Sequence, residues 1–285
     1  MIEHSLEHAL TDSLKVLPFL FITYLCMEYL EKKTNQNTNI RLKRAGKKGI
    51  LLGAVVGVIP QCGMSAVASN LYAGRMITAG TLIAVFLSTS DEMLPIFISN
   101  SGNMGLIVKI LALKIGIAMI GGFLTEYIVV KWLKGNDDEH GIHEFCEHEH
   151  CHCEDGIMKS AIRHTIRIFF YIFVITVVLN VGIEVIGEEK LGNFILNRVV
   201  LGPVLAGIVG LIPNCASSIV ITKMFLEGFM SLGTMMAGLL VGAGVGILVL
   251  FRVNENRKES IILIGTLYTI GVLAGVILNL VSFPM

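Results

Sequence analysis

Long runs of apolar residues, separated by short polar loops, dominate the 285-residue chain. A helix that crosses a membrane needs about 20 consecutive, mostly apolar residues. Six stretches come close to that length or exceed it: residues 13–30, 77–98, 106–133, 162–186, 231–251 and 261–281. The pattern therefore predicts an all-α polytopic membrane protein.

Two further apolar segments, residues 46–74 and 199–227, are interrupted near their middles. The interruptions read Pro60-Gln61-Cys62-Gly63 and Pro213-Asn214-Cys215. Because proline lacks a backbone donor and disfavours helix at the preceding residue, each segment is predicted to form two half-helices. A half-helix of about 12–14 residues rises only about 20 Å, so it does not cross the bilayer.

The second half of the chain repeats the first at a constant offset of 153 residues. Between residues 50–84 and 203–237, eleven of 35 aligned pairs are identical. The identical pairs include Gly57/Gly210, Pro60/Pro213, Cys62/Cys215, Ser65/Ser218 and Gly80/Gly233. Shared hydrophobicity does not explain matches at Pro, Cys and Ser. We therefore predict two transmembrane repeats, residues 1–134 and 160–285, joined by a linker at 135–159.

Basic residues mark the predicted cytoplasmic side. Seven Lys and Arg lie between residues 31 and 49, five between 131 and 167, and three between 252 and 258. Since cytoplasmic loops carry an excess of these residues, we expect the three loops and the linker inside and both termini outside. The segment 46–74 then re-enters from the cytoplasm and 199–227 from the outside. Two repeats of about five helical segments would have inverted topologies, a recurrent plan of secondary transporters.

The two Pro-x-Cys tips are the predicted substrate site. Inverted hairpins bring both tips near the membrane midplane, where irregular backbone is tolerated only beside a protein-enclosed cavity. The candidate residues are Pro60, Gln61, Cys62, Gly63, Ser65, Pro213, Asn214, Cys215 and Ser218. Half-helix N-termini attract anions, and half-helix C-terminal carbonyls coordinate cations. The alternative is a plain kink with a buried Cys, but duplication at matched positions favours a functional site.

Asp91 and Glu92 lie together inside a predicted span. A charged side chain in the membrane interior costs at least about 2.5–3.5 kcal/mol on insertion scales, so such acids usually have a function. Their repeat equivalents are Gly244 and Val245, so the acidic pair occurs once. Lys114, near the middle of the next span, is the expected ion-pair partner. We predict a cation or proton site; an ion pair that only ties helices together is the alternative.

The linker is rich in side chains that bind transition metals. It combines eight Asp and Glu residues with five His and three Cys. The His and Cys residues are His140, His143, Cys146, His148, His150, Cys151, His152 and Cys153. Imidazole and thiolate ligands at this density suit Zn²⁺, Co²⁺, Ni²⁺ or Cu⁺. We expect metal binding here, as a chelator or a sensor, with a solvated polar linker as the alternative.

Composition and missing motifs narrow the function classes. Hydrophobic residues make up 54% of the chain and charged residues 15%, compared with about 25% charged in soluble domains. The chain has 22 Lys and Arg residues and 22 Asp and Glu residues, so its net charge is zero and gives no reason to expect a nucleic-acid partner. We expect its partners to be the lipid bilayer and a small substrate. The sequence has no P-loop, which argues against ATP hydrolysis. It has no His deep within an apolar span to activate a Cys, since His164 lies at the cytoplasmic start of its span, and this argues against an intramembrane cysteine enzyme. No cofactor is expected beyond a transported or linker-bound metal, and a homodimer is compatible with the sequence.

With these motifs, the chain resembles the ten-transmembrane heavy-metal exporters, often labelled manganese transporters, and more distantly the organoarsenical permeases. The resemblance spans roughly residues 10–281, and its most specific parts are the two Pro-x-Cys elements. It implies export of a metal or metalloid across the inner or plasma membrane of a prokaryote. Oxygen ligands favour Mn²⁺, and paired Cys favour softer ions or trivalent arsenic. We expect a proton-coupled secondary exporter of a divalent metal such as Mn, Zn, Co or Ni, with an organoarsenical or anionic organic substrate as the alternative.

Overall fold

The computed structural model describes residues 17–18, 21–22, 25, 46–59, 62–89, 93–100, 104–133, 157–186, 199–254 and 256–281. All regular secondary structure in this part of the chain is helical, which confirms the all-α expectation there. The helices are α1 (Gly46–Val56), α2 (Cys62–Ala73), α3 (Ala79–Ser88), α4 (Met93–Asn100), α5 (Met104–Leu133), α6 (Ile157–Ile186), α7 (Leu201–Gly210), α8 (Cys215–Leu226), α9 (Leu232–Val241), α10 (Val245–Val253) and α11 (Arg257–Val281). The first predicted span, the linker and both chain ends lie outside the described residues.

Among the described residues, four helical stretches are long and apolar enough to cross a membrane: Ala79–Ser99, Met104–Ile128, Leu232–Val253 and Arg257–Val281. In the first and third, 73% and 83% of the most apolar window is buried inside the protein. In the second and fourth, only 33% and 28% is buried. The first and third therefore form the centre of the fold, and the other two present apolar side chains outwards, as lipid contact requires.

The central stretches are broken, although their sequences were expected to form uninterrupted spans. In the first, α3 ends at Ser88 and α4 begins at Met93. In the third, α9 ends at Val241 and α10 begins at Val245. The second break has a local cause, because Gly244 has a φ of +53°, a left-handed conformation that glycine adopts without strain. Each central stretch is thus a pair of half-helices.

Equivalent residues cap the first central helix of each repeat. Thr78 caps α3 because its hydroxyl accepts from the Thr81 backbone N–H at 3.3 Å. Ser231 caps α9 by accepting from the Thr234 backbone N–H, also at 3.3 Å. The two caps are related by the offset of 153 residues, so the sequence repeat corresponds to a repeated local structure.

Small residues allow close helix packing at matched positions. A Cβ on Gly80 in α3 would lie 2.5 Å from the carbonyl oxygen of Gly122 in α5. A Cβ on the equivalent Gly233 in α9 would lie even closer to the carbonyl oxygen of Gly275 in α11. Such glycines let membrane helices pack with their backbones in contact. Dispersion attraction then stabilises the packing, because in lipid there is no hydrophobic driving force between helices.

α1 and α2 form a hairpin against α3. α1 runs in the same direction as α3, because Gly49 lies beside Thr81 and Gly57 lies beside Ser88. α2 joins the end of α1 to the start of α3, so it must run back along them. In the second repeat, the equivalent Gly210 of α7 touches Gly238 of α9.

Contacts between the repeats involve the second half-helix of each hairpin. α2 packs on α10, and α8 packs on α4. Each hairpin therefore touches the central helix of both its own repeat and the other one.

Candidate substrate and cation site

The second helix of each hairpin begins at the Cys of its Pro-x-Cys element. α2 begins at Cys62 and α8 begins at Cys215. Gly63 is buried, and Asn214 is only 6% exposed. The carbonyl oxygen of Asn214 accepts from the hydroxyl of Ser217 at 2.7 Å, which fixes the start of α8. The tip of the second hairpin is thus held by its own side chains.

Part of the predicted tip cannot be located. Pro60, Gln61 and the side chains of Cys62 and Cys215 lie outside the described part of the chain. Their role as substrate ligands stays a prediction. The backbone of α8 starting at Cys215, with Pro213 half-buried just before it, is described.

One serine from each hairpin lies at the break between α9 and α10. A Cβ on Gly246 would lie 2.6 Å from the Cβ of the fully buried Ser65. A Cβ on Gly242 would lie 3.6 Å from the hydroxyl oxygen of Ser218. The structure therefore brings these two predicted site residues, which are far apart in sequence, to the same interruption.

A second hydroxyl on α2 was missed by the sequence prediction. Ser69 Oγ lies 2.7 Å from the carbonyl oxygen of Gly246 and 3.0 Å from that of Ser65. Its repeat equivalent is Thr222, which is fully buried on α8. Hydroxyls four residues apart, at 65 and 69 and again at 218 and 222, form one face of each helix. This spacing of hydroxyl side chains is the feature of the sequence that could have indicated Ser69.

Lys114 is fully buried, as expected for a residue with an internal role. It shares a buried face of α5 with Ile110 and Ala118, which are also fully buried. Its Nζ donates to the backbone carbonyl of Thr89 and, at 3.2 Å, to that of Leu239. These two carbonyls belong to different repeats, and neither was predicted as a partner.

The predicted acidic partners of Lys114 are not described. Asp91 and Glu92 lie outside the described residues, so their ion pair with Lys114 stays a prediction. Thr89, which Lys114 does contact, is two residues before Asp91. This contact brings the ammonium to the segment that carries the acidic pair.

An ion pair that the sequence did not predict joins the two repeats away from the tips. Arg75 Nη1 and Nη2 donate to Glu259 Oε1 and Oε2 at 2.9 Å and 3.1 Å, and the Tyr72 hydroxyl also donates to Glu259. Glu259 is buried, with 5% exposure. Burial alone lowers the pKa of Arg75, but its hydrogen bonds and attraction to Glu259 outweigh this and raise that pKa.

Arg75 has a positive backbone φ, a conformation that the equivalent glycine in the second repeat adopts without strain. Its φ is +56°, and the equivalent residue, Gly228, has a φ of +80°. A non-glycine residue pays roughly 1–3 kcal/mol in sparsely populated regions and persists where surrounding contacts hold it. The bidentate contact with Glu259 is such a restraint.

The described residues contain no group of three or more His, Cys, Asp or Glu side chains placed to hold a metal ion. The linker residues, from His140 to Cys153, lie outside this part of the chain. Metal binding by the linker therefore stays a prediction.

The four long apolar stretches indicate an integral membrane protein. The chain belongs to the family described as "Putative, 10TM heavy-metal exporter", whose profile matches residues 3–186. The match covers the first repeat, the linker and α6, and it agrees with the resemblance seen in the sequence. No curated protein and no solved structure matches the chain. The family description concerns export rather than catalysis and does not specify manganese.

Proposed function

We propose that the protein is a proton-coupled secondary exporter of a divalent transition metal such as Mn²⁺. The substrate would bind near the membrane midplane between the two Pro-x-Cys tips. The observation that carries this proposal is that one serine from each hairpin lies beside a glycine in or next to the break between α9 and α10: Ser218 beside Gly242 and Ser65 beside Gly246. Irregular backbone of this kind at membrane depth is typical of transporter binding sites.

Contacts at one end of the molecule support the proposed inverted topology. α3 begins just after Arg75, and α10 ends just before Glu259. Since these two side chains form an ion pair, the start of α3 and the end of α10 lie at the same face. The central helices of the two repeats therefore run in opposite directions, as inverted repeats require. Arg252, Arg257 and Lys258 lie at this same end, which favours a cytoplasmic face.

In this mechanism Asp91 and Glu92 exchange a proton for the exported cation. Lys114 would compensate the negative charge when no cation is bound, so that the site is never left with an unbalanced charge in the membrane. The contact of Lys114 with Thr89 supports this, because Thr89 is two residues from Asp91. The second repeat has Gly244 and Val245 at the equivalent positions, so the mechanism uses a single acidic site.

We further propose that the linker at 135–159 is a cytoplasmic metal-binding segment that is separable from transport. Its eight His and Cys residues occur between two repeats that align without it. High-affinity binding by imidazole and thiolate would buffer or sense the cytoplasmic metal before export.

A second candidate substrate is an organoarsenical or another thiol-reactive or anionic compound. The specific observation in its favour is that α2 and α8 begin at Cys62 and Cys215. A helix N-terminus offers unpaired backbone N–H groups and a positive dipole end, which favour an anion, and a thiol at that position binds trivalent arsenic.

Flux measurements in proteoliposomes test these proposals. Purified protein would be assayed with Mn²⁺, Zn²⁺, Co²⁺, Ni²⁺ and an organoarsenical, with and without an imposed pH gradient. The proposal requires Mn²⁺ flux that the gradient accelerates and that Asp91→Asn or Glu92→Gln abolishes. Flux of the organoarsenical alone would establish the second candidate instead. Absence of flux for every substrate would reject both.

A further inference from the structure

The ammonium group of Lys114 is placed where membrane proteins seldom put a charge. The side chain has no exposed surface, and α5 is long and apolar enough to span the bilayer. A buried cation is stable only when nearby groups replace the water that it has lost. The groups that surround Nζ are therefore informative about what this position is built to hold.

Two of those groups are carbonyl oxygens at the C-terminal ends of half-helices. Thr89 directly follows the last residue of α3, and Leu239 lies in the last turn of α9. The Ala243 backbone N–H, which would bond to Leu239 in a continuous helix, donates to Val241 instead. The Leu239 carbonyl is thereby released to accept from Lys114 at 3.2 Å.

Both carbonyls also lie at or beside the negative end of a helix dipole. The C-terminus of a helix is equivalent to roughly half a negative charge and favours a cation. Here two such ends, one from each repeat, meet the same ammonium group. In transporters with discontinuous helices, half-helix C-termini of this kind coordinate Na⁺.

We propose that the carbonyl oxygens of Thr89 and Leu239 belong to a monovalent-cation site, and that the Lys114 ammonium permanently occupies it in place of Na⁺ or K⁺. The equivalent residue in the second repeat is Leu267, which is buried and apolar, so it carries no charge that could fill such a site. For its consequence in transport, this inference rests on the proposed function: export would need no Na⁺ or K⁺ gradient. The site itself is independent of the substrate.

Removing the side chain should expose the site to small cations. Lys114→Ala leaves the two carbonyls without their ammonium group and opens space for a free ion. The unfolding temperature in detergent would be measured in NaCl, KCl, methylammonium chloride and choline chloride at equal concentration. Wild type should be insensitive to the choice of cation. For Lys114→Ala, a small cation at about ten times its Kd should raise the Tm by roughly 3–6 °C over choline, which is too large to enter.

Two matched variants separate this effect from a general response to salt. Lys114→Met fills the space with an apolar chain and should be destabilised without responding to any cation. Lys109→Ala removes an exposed lysine from the same helix and should behave as wild type. A Lys114→Ala protein with the same Tm in all four salts would overturn the proposal.

A neutral hydrogen-bonding variant covers the case in which Lys114→Ala does not fold in any salt. Lys114→Gln keeps N–H donors but not the charge, so a cation site requires its Tm to lie below that of wild type. An equal Tm would show that the carbonyls need only a hydrogen bond, which would also overturn the proposal. These measurements need no transport, so their failure leaves metal export untouched, and the absence of flux leaves them valid.

Discussion

The ion pair between Arg75 and Glu259 should stabilise the contact between the two repeats by a measurable amount. The exposure of the two side chains sets limits on this coupling energy. Breaking a fully buried pair costs about 3–5 kcal/mol, whereas an exposed pair contributes about 0.2–1 kcal/mol. The Glu259 side chain is 7% exposed but the Arg75 side chain is 37% exposed, so solvent screens one partner. We therefore expect a coupling energy of about 1–2 kcal/mol, between these limits.

A double-mutant cycle with Arg75→Gln and Glu259→Gln isolates this coupling. Both substitutions remove charge while keeping a polar side chain of similar length, and Arg75→Gln also keeps the strained backbone. Unfolding in mixed micelles, followed by circular dichroism, would give the free energy for each variant. Arg75→Gly provides an internal comparison: it loses the ion pair but relieves the φ of +56°, so it should be about 1 kcal/mol less destabilising than Arg75→Gln.

The outcome that would refute this reasoning is a coupling energy of zero within error. The guanidinium and carboxylate would then gain no more from each other than from water. Equal destabilisation by Arg75→Gly and Arg75→Gln would separately refute the argument from backbone strain, while leaving the ion pair intact.

Three further predictions test packing, linker and substrate site. Gly80→Ala should cost about 1–3 kcal/mol, because its Cβ would meet backbone at 2.5 Å, whereas Gly265→Ala, with no atom within 4 Å, should be neutral or stabilising; equal unfolding free energies would contradict this. Deletion of residues 137–155 should abolish high-affinity metal binding, measured by calorimetry, but leave transport by the membrane core measurable; loss of all flux at saturating substrate would show that the parts are not separable. Cys62→Ser and Cys215→Ser should each weaken binding of a soft substrate far more than of Mn²⁺, because serine lacks the thiolate; small, equal effects on every substrate would assign both residues to packing.

Proline and apolar length were reliable guides to the elements. The four long apolar helices fall close to predicted spans, because hydrocarbon thickness sets a length that composition reveals. The breaks within the central helices were harder to foresee. At Gly242–Gly244 the signal was only two glycines in an apolar run, and glycine is common in membrane helices for packing reasons as well. A break that depends on the φ of one glycine is not distinguishable from a packing glycine in a single sequence.

Side chains whose chemistry is unusual for a membrane could be singled out from the sequence, whereas contacts supplied by the backbone could not. Lys114 was identified because a charge in an apolar span needs an explanation. Its carbonyl partners at Thr89 and Leu239 could not be identified from the sequence. Every residue has a backbone carbonyl, and only those near a helix end lack a partner within the helix. Ser69 was overlooked because a lone hydroxyl in a helix usually bonds to its own backbone, and its second contact, to Gly246, crosses between repeats.

The two repeats share backbone features but have different side chains at three matched positions. The helix caps and glycine contacts recur at the offset of 153, so the two repeats are built alike. Tyr72, Lys114 and Glu259 have the equivalents Phe225, Leu267 and Leu106. The contact that includes Tyr72 is hydrogen-bonded and ionic, whereas the ring of Phe225 packs on that of Phe97 with centroids 6.0 Å apart. Under the proposed inversion these contacts close opposite faces of the membrane. Under this proposal, opening one face would solvate a charge pair and opening the other would expose aromatic surface, so the two openings would differ in free energy.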